Sequence, residues 1–142
     1  MDGKRFMKKN LAVYGFSIIL IILIFSGCQE QKTIETSYLE GIEFKSELVE
    51  LIYSNITKSI DGEKVLNIDV KYLFKNVVGR DLNLKVFVEF YDKNDQLLYT
   101  GGPKYITLPN NWTEQGVSPA NTISYSGKQA NDVDHVTIIA SE

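Results

Sequence analysis

The chain contains a single histidine, His135, and it follows an acidic run, Asp132-Val133-Asp134. A carboxylate beside an imidazole is the starting material of acid and base catalysis. Neighbouring residues of a strand point to opposite faces, however, so Asp134 and His135 would not aim at one substrate if a strand begins there. No nucleophile elbow, zinc-binding histidine pair, P-loop or dinucleotide-binding glycine pattern occurs. The expectation is a chain without catalytic residues, with His135 solvated at the start of a strand. A hard cation is the other chemistry in reach. Asp92, Asn94 and Asp95 crowd one turn, and Asp132 and Asp134 another. Brought to one end of a fold, they would supply five of the roughly six to eight oxygens that calcium takes. Neither stretch is a full EF-hand loop, and turn-forming residues explain both. The expected cofactor is none, with Ca²⁺ binding as the alternative. One cysteine, Cys28, excludes an intrachain disulfide and any multi-cysteine zinc site.

Aromatic residues are the remaining candidates for contact. The chain has eight Tyr, seven Phe and one Trp, and Trp112 lies in the polar stretch from Pro109 to Pro119 (PNNWTEQGVSP). An exposed indole beside Asn110, Asn111 and Gln115 would stack on a sugar ring or anchor a partner protein; folded back, it would cap the core. Tyr91, Tyr99, Tyr105 and Trp112 are the candidate ligand contacts. Asn55-Ile56-Thr57 and Asn111-Trp112-Thr113 also fit the N-glycosylation tripeptide, which matters only in an exported chain.

Charge divides the molecule. Residues 1–27 carry Lys4, Arg5, Lys8 and Lys9 against Asp2, a net +3, while the remainder holds 11 basic and 17 acidic residues, a net −6. An acidic body lacks the basic face that replaces phosphate counterions, so nucleic acid is excluded as a partner. The basic end precedes an apolar run from Leu11 to Phe25, then Ser26, Gly27 and Cys28. Basic end, apolar segment and small residues are the three parts of a secretory signal. The run is about 15 residues where a membrane-spanning helix needs about 20. Phe25-Ser26-Gly27-Cys28 resembles the lipobox of prokaryotic lipoproteins. That resemblance implies cleavage between Gly27 and Cys28 and a diacylglycerol on the Cys28 thiol. Two acyl chains anchor durably where one binds marginally, at about 0.8 kcal/mol per buried methylene. An uncleaved signal anchor is the alternative. Either way the body is exported and tethered at the extracytoplasmic face of the cell membrane.

Residues 28–38 then read as the lipidated cysteine and a polar tether, and 39–142 as the folded domain. Leu66, Ile68, Val70, Tyr72 and Phe74 alternate with polar residues, and so do Leu82, Leu84, Val86, Val88 and Phe90. Period two over five steps marks half-buried strands. Asn76 to Asp81 supplies the turn between them. Glu47 to Ser54 also fits a helical face, but it reads as a strand because Asp61-Gly62 then closes a hairpin. Asp92 to Asp95 turns into Leu97-Leu98-Tyr99, Gly101-Gly102-Pro103 breaks the chain, and Tyr105 to Leu108, Asn121 to Tyr125 and His135 to Ala140 complete about seven strands. With no strand-helix alternation, the expected fold is all-β: an antiparallel β-sandwich following an N-terminal hydrophobic signal helix, with a small closed barrel as the alternative.

Val88-Glu89-Phe90-Tyr91-Asp92, a polar turn and Leu97-Leu98 resemble the signature of FxLYD-type domains, immunoglobulin-like modules of prokaryotic envelope proteins. Asn76, and the turn at Ser118-Pro119-Ala120-Asn121, fit the same pattern. The resemblance implies an immunoglobulin-like sandwich that binds or spaces, and it brings no catalytic residues. The expected function is a non-enzymatic binding or assembly module of the cell envelope. Its partners are the membrane, through the lipid, and an unidentified envelope protein or glycan. A cation or small-solute binder using the acidic turns is the alternative.

Overall fold

The computed structural model describes residues 41–142 in full and the backbone of 35–38. The signal segment, Gly27, Cys28 and the start of the tether lie outside the described residues. Those described form eight strands: β1 Glu35–Tyr38, β2 Ile42–Lys45, β3 Val49–Asp61, β4 Lys64–Asn76, β5 Leu82–Tyr91, β6 Leu97–Leu108, β7 Thr122–Tyr125 and β8 His135–Ser141. They make two four-stranded sheets, ordered β1-β3-β4-β7 and β2-β8-β5-β6. The fold is therefore all-β with two separate sheets, not one closed barrel.

Alternation builds the core. Ile68, Val70, Tyr72 and Phe74 of β4, and Leu82, Leu84, Val86, Val88 and Phe90 of β5, are all fully buried between the sheets. Each such side chain contributes about 1.5–3 kcal/mol by leaving water. Aromatic pairs cross the gap: Phe44 of β2 stacks on Phe74 with centroids 5.7 Å apart, and Phe90 meets Tyr125 of β7 at 5.3 Å. Gly62, at φ 63°, opens the tight turn that joins β3 to β4 through the Asp61–Lys64 pair. From β4 the chain crosses to the second sheet, makes the β5–β6 hairpin, and crosses again on either side of β7.

Four features differ from the expectations above. β1 pairs antiparallel with the far end of β3, so the last residues of the polar tether form a sheet edge. β2 lies parallel to β8, so the sandwich is not wholly antiparallel. β3 extends seven residues beyond Ser54, to Asp61, and carries a bulge at Ile52. Finally, Gly101-Gly102-Pro103 does not end a strand. Between the Val86–Lys104 and Val88–Gly101 pairs, Gly102 and Pro103 together oppose Phe87, so the break is a bulge inside one continuous β6.

Candidate functional site

The two ends of the sandwich hold different chemistry. At the end where β5 finishes, the two acidic turns do come together. Asp92, Asp132 and Asp134 line one open cleft of about 410 Å³ with Lys93, Gln96 and Asn131. Asp92, Asp95 and Asp134 are each engaged by neighbouring groups. Asp92 Oδ1 accepts the backbone N–H groups of Gln96 at 2.9 Å and Asn94 at 2.8 Å, an Asx-type turn that places Asp95 at φ 59°. Asp134 Oδ2 lies 3.2 Å from His135 Nδ1, and Asp95 Oδ1 lies 3.4 Å from His135 Nε2. Lys58 Nζ donates to the Val133 carbonyl at 2.7 Å. Burial pulls that ammonium below its ordinary value, partly offset by Asp134. Among the described residues no three acidic, histidine or cysteine groups are arranged to hold a metal ion.

His135 corrects two expectations. Asp134 precedes β8 and is not bound by strand alternation, so it and His135 meet instead of diverging. The imidazole is also not solvated: its side chain is 20 % exposed and stacks on Tyr91 at 5.3 Å and an interplanar angle of 7°. The Tyr91 hydroxyl donates to Glu89 Oε2 at 2.6 Å, and that bond holds the phenol above its ordinary value.

The bonds to Asp92 make the acid response testable. They hold its carboxyl below the usual range, with the Gln96 amide the larger cause and the Asn94 amide the next. A depressed folded value adds stability above the unfolded value, and that stability is lost as pH falls through the folded one. Asp92→Asn should therefore flatten the fall of Tm with acidification below about pH 4. Superimposable acid limbs for wild type and variant would refute this.

The four aromatic candidates do not share a surface. Tyr91 belongs to the acidic end. Tyr99 stacks on Tyr125 at 4.6 Å and lies 5.9 Å from Phe90, yet stays 41 % exposed. Tyr105 is 70 % exposed on the outer face, opposite Lys85. Trp112 sits at the other end of the sandwich and is 51 % exposed.

That end is organised by Asn76, a buried polar residue. Its Nδ2 donates to the carbonyls of Arg80 at 2.7 Å, Pro109 at 3.0 Å and Leu108 at 3.1 Å, and its Oδ1 accepts the Val78 N–H at 3.1 Å. One side chain thus ties the β4–β5 turn to the start of the 109–118 loop. The loop then takes over the open edge of β4 beyond the end of β7. Asn76 N–H donates to Trp112 O at 2.9 Å, Glu114 N–H to Phe74 O at 3.0 Å, and Lys75 bridges Thr113. Glu114 completes the seal. Its Oε2 accepts the Phe74 N–H at 2.8 Å and its Oε1 the Asn121 Nδ2 at 2.7 Å. Beneath it the Tyr72 hydroxyl donates to Ala120 O at 3.2 Å; burial, helped by Glu114, pushes that phenol well above its ordinary value. Asn76, which the sequence offered as the start of a turn and through a family pattern, and Glu114, which it did not single out, are the residues that fix the Trp112 loop. The signal for Asn76 was an amide interrupting the end of an apolar alternation; Glu114 left none.

Comparison with known proteins gives no match: no family model, no curated protein and no solved structure matches this chain. The functional reading therefore rests on the chain's own residues.

Proposed function

We propose that the chain is an exported lipoprotein, held by a diacylglycerol on Cys28 at the extracytoplasmic face of the cell membrane. Its immunoglobulin-like sandwich of FxLYD type then serves as a non-enzymatic binding or assembly module of the envelope. The carrying observation is that the sole cysteine falls directly after Ser26 and Gly27, where the apolar run from Leu11 to Phe25 has ended. Signal cleavage needs small residues there, and lipidation needs a thiol. Two sheets joined by hairpins and crossings, with Asn76 at a strand end and Phe90-Tyr91-Asp92 leading into a turn, support the domain reading. Tethering raises the effective concentration of the sandwich near other envelope components.

Intact mass and membrane fractionation test the anchor. Wild type should begin at Cys28, carry the lipid mass and pellet with membranes. Cys28→Ser should lack the lipid and keep residues 1–27. A wild-type chain that carries no lipid and retains residues 1–27 overturns the proposal. The cleft bordered by Asp92, Asp132 and Asp134 favours a second reading, a cation or small-solute binder. Calcium calorimetry separates the two: heat that is lost in Asp132→Asn and Asp134→Asn would support the second.

A further inference from the structure

The end of the sandwich built on Asn76 presents a sole tryptophan on a held loop, with exposed amides next to it in the sequence and the nearby Arg80 paired with Glu142. We propose that this loop is a carbohydrate-binding platform, and that Trp112 stacks on the apolar face of a neutral or N-acetylated pyranose of an oligosaccharide. The inference rests on the envelope reading above and names a ligand class for it.

Three observations carry the inference. First, the indole is held out. Trp112 N–H donates to Pro109 O at 3.0 Å to close a turn, Asn111 takes φ 56° within it, and Trp112 O is fixed by the Asn76 N–H. Asn110 N–H is further pinned by Asp81 Oδ1 at 2.8 Å. A loop held by its own backbone bonds loses little freedom on binding, which favours affinity for a ligand with few contacts. Second, the carboxamides of Asn110, Asn111 and Gln115 are exposed and make no hydrogen bond among the described residues. Each amide offers two donors and an acceptor, the complement of sugar hydroxyls and acetamido groups. Third, the nearby charges are occupied. Arg80 makes a two-pronged pair with Glu142, Asp81 holds Asn110, and both Glu114 oxygens are bonded within the fold. With Arg80 paired, the loop offers no free guanidinium to an anionic ligand, which suits an uncharged one.

The chain enters the first sheet at the end opposite to Trp112. It joins the first sheet at Glu35, opposite Ile60, near the β3–β4 turn, whereas Trp112 pairs with Asn76 at the far end of β4. Thirteen residues of β4 at about 3.3 Å each put roughly 40 Å between these ends.

The test uses the full chain in a detergent without a sugar headgroup. Because Trp112 is the only tryptophan, intrinsic emission reports on this site alone. Titration with hexamers of β-1,4-linked N-acetylglucosamine and of β-1,4-linked glucose should give a saturable change for at least one, with matching heat by calorimetry. Trp112→Ala should weaken binding at least about tenfold, Trp112→Phe should keep most of it, and Asn110→Ala should weaken it a few-fold. Tyr105→Ala, on a different face, should bind as wild type. Thermal melts of each variant separate lost binding from lost folding. Silence with both sugars overturns the proposal, and so does an emission change produced by phosphatidylglycerol vesicles and not by sugars. Either result leaves the anchor standing if Cys28 still carries lipid; missing lipid with intact sugar binding would remove the anchor and keep the platform.

Discussion

Replacing Asn76 by Ala should destabilise the domain by about 3 kcal/mol, since two donated bonds, one of them shared between two carbonyls, and one accepted bond at roughly 1 kcal/mol each are lost and part of the freed backbone stays buried. For a domain of this size that is a fall in Tm of roughly 10–20 °C. The variant should also loosen one end of the sandwich more than the other. Quenching of Trp112 emission by acrylamide should rise under native conditions, because Asn76 ties the β4–β5 turn to Leu108 and Pro109 at the base of the Trp112 loop. Asn76→Asp is the sharper probe. It keeps the oxygen that accepts the Val78 N–H but turns the amide donor toward three carbonyls into an acceptor. A carboxylate facing carbonyl oxygens has its folded value raised, so its penalty grows above the ordinary aspartate range and fades on acidification. Asn76→Asp should thus be worse than Asn76→Ala at neutral pH and recover as pH falls toward about 4. Equal stability of the two variants at every pH would show that the amide donor does not hold this end.

The parts of the fold that were legible are those where one parity of side chains holds along a strand. In β5, Leu82, Leu84, Val86, Val88 and Phe90 face inward without interruption, and the strand runs from Leu82 to Tyr91 as the alternation predicts. Parity fails where a bulge intervenes. In β3 the extra residue at Ile52 lets Val49 and Ile56, an odd and an even position, both turn inward. The same extra residue makes Glu47 to Ser54 resemble a helical face. β2 shows Ile42 and Phe44 against Glu43 and Lys45, a true alternation but only four residues long. β1, Glu-Thr-Ser-Tyr, has no apolar alternation at all, and its pairing is set by the free edge of β3 rather than by its own composition.

Site residues were legible for a different reason. Turn chemistry is local, so Asp92 accepting the amides of its own turn follows from the sequence. The meeting of Asp95, Asp134 and His135 does not, because it depends on two turns 37 or more positions apart converging at one end. Trp112 stood out by type, yet its exposure was undecided until the loop was seen to bond along the edge of β4. That bonding is long-range in sequence and leaves no periodic trace.

The Gly101-Gly102 pair shows how much can hang on a segment that reads as a simple break. Gly102 sits at φ 106°, and a Cβ there would meet Val86 O at 2.6 Å and Phe87 Cα at 3.3 Å, both on the neighbouring strand. Neither atom can yield without moving β5, whose inner residues form the core. Strain at such a φ costs about 1–3 kcal/mol by itself, and the clash with a carbonyl oxygen adds to it. Gly102→Ala is therefore expected to cost about 3 kcal/mol or more, read as a lower denaturation midpoint at unchanged m-value. Gly101 is a gentler case. Its added Cβ would meet Ile123 Cγ2 at 2.5 Å, the methyl of a β7 side chain facing it from the other sheet. Removing that methyl makes room, so Gly101→Ala should cost less in an Ile123→Ala background than in wild type, a coupling of about 1 kcal/mol. Gly102→Ala should show no such rescue, because its obstacle is backbone. If Ile123→Ala relieves both substitutions equally, the bulge is not held against β5 in the way the geometry requires, and β6 is free to re-register along its edge.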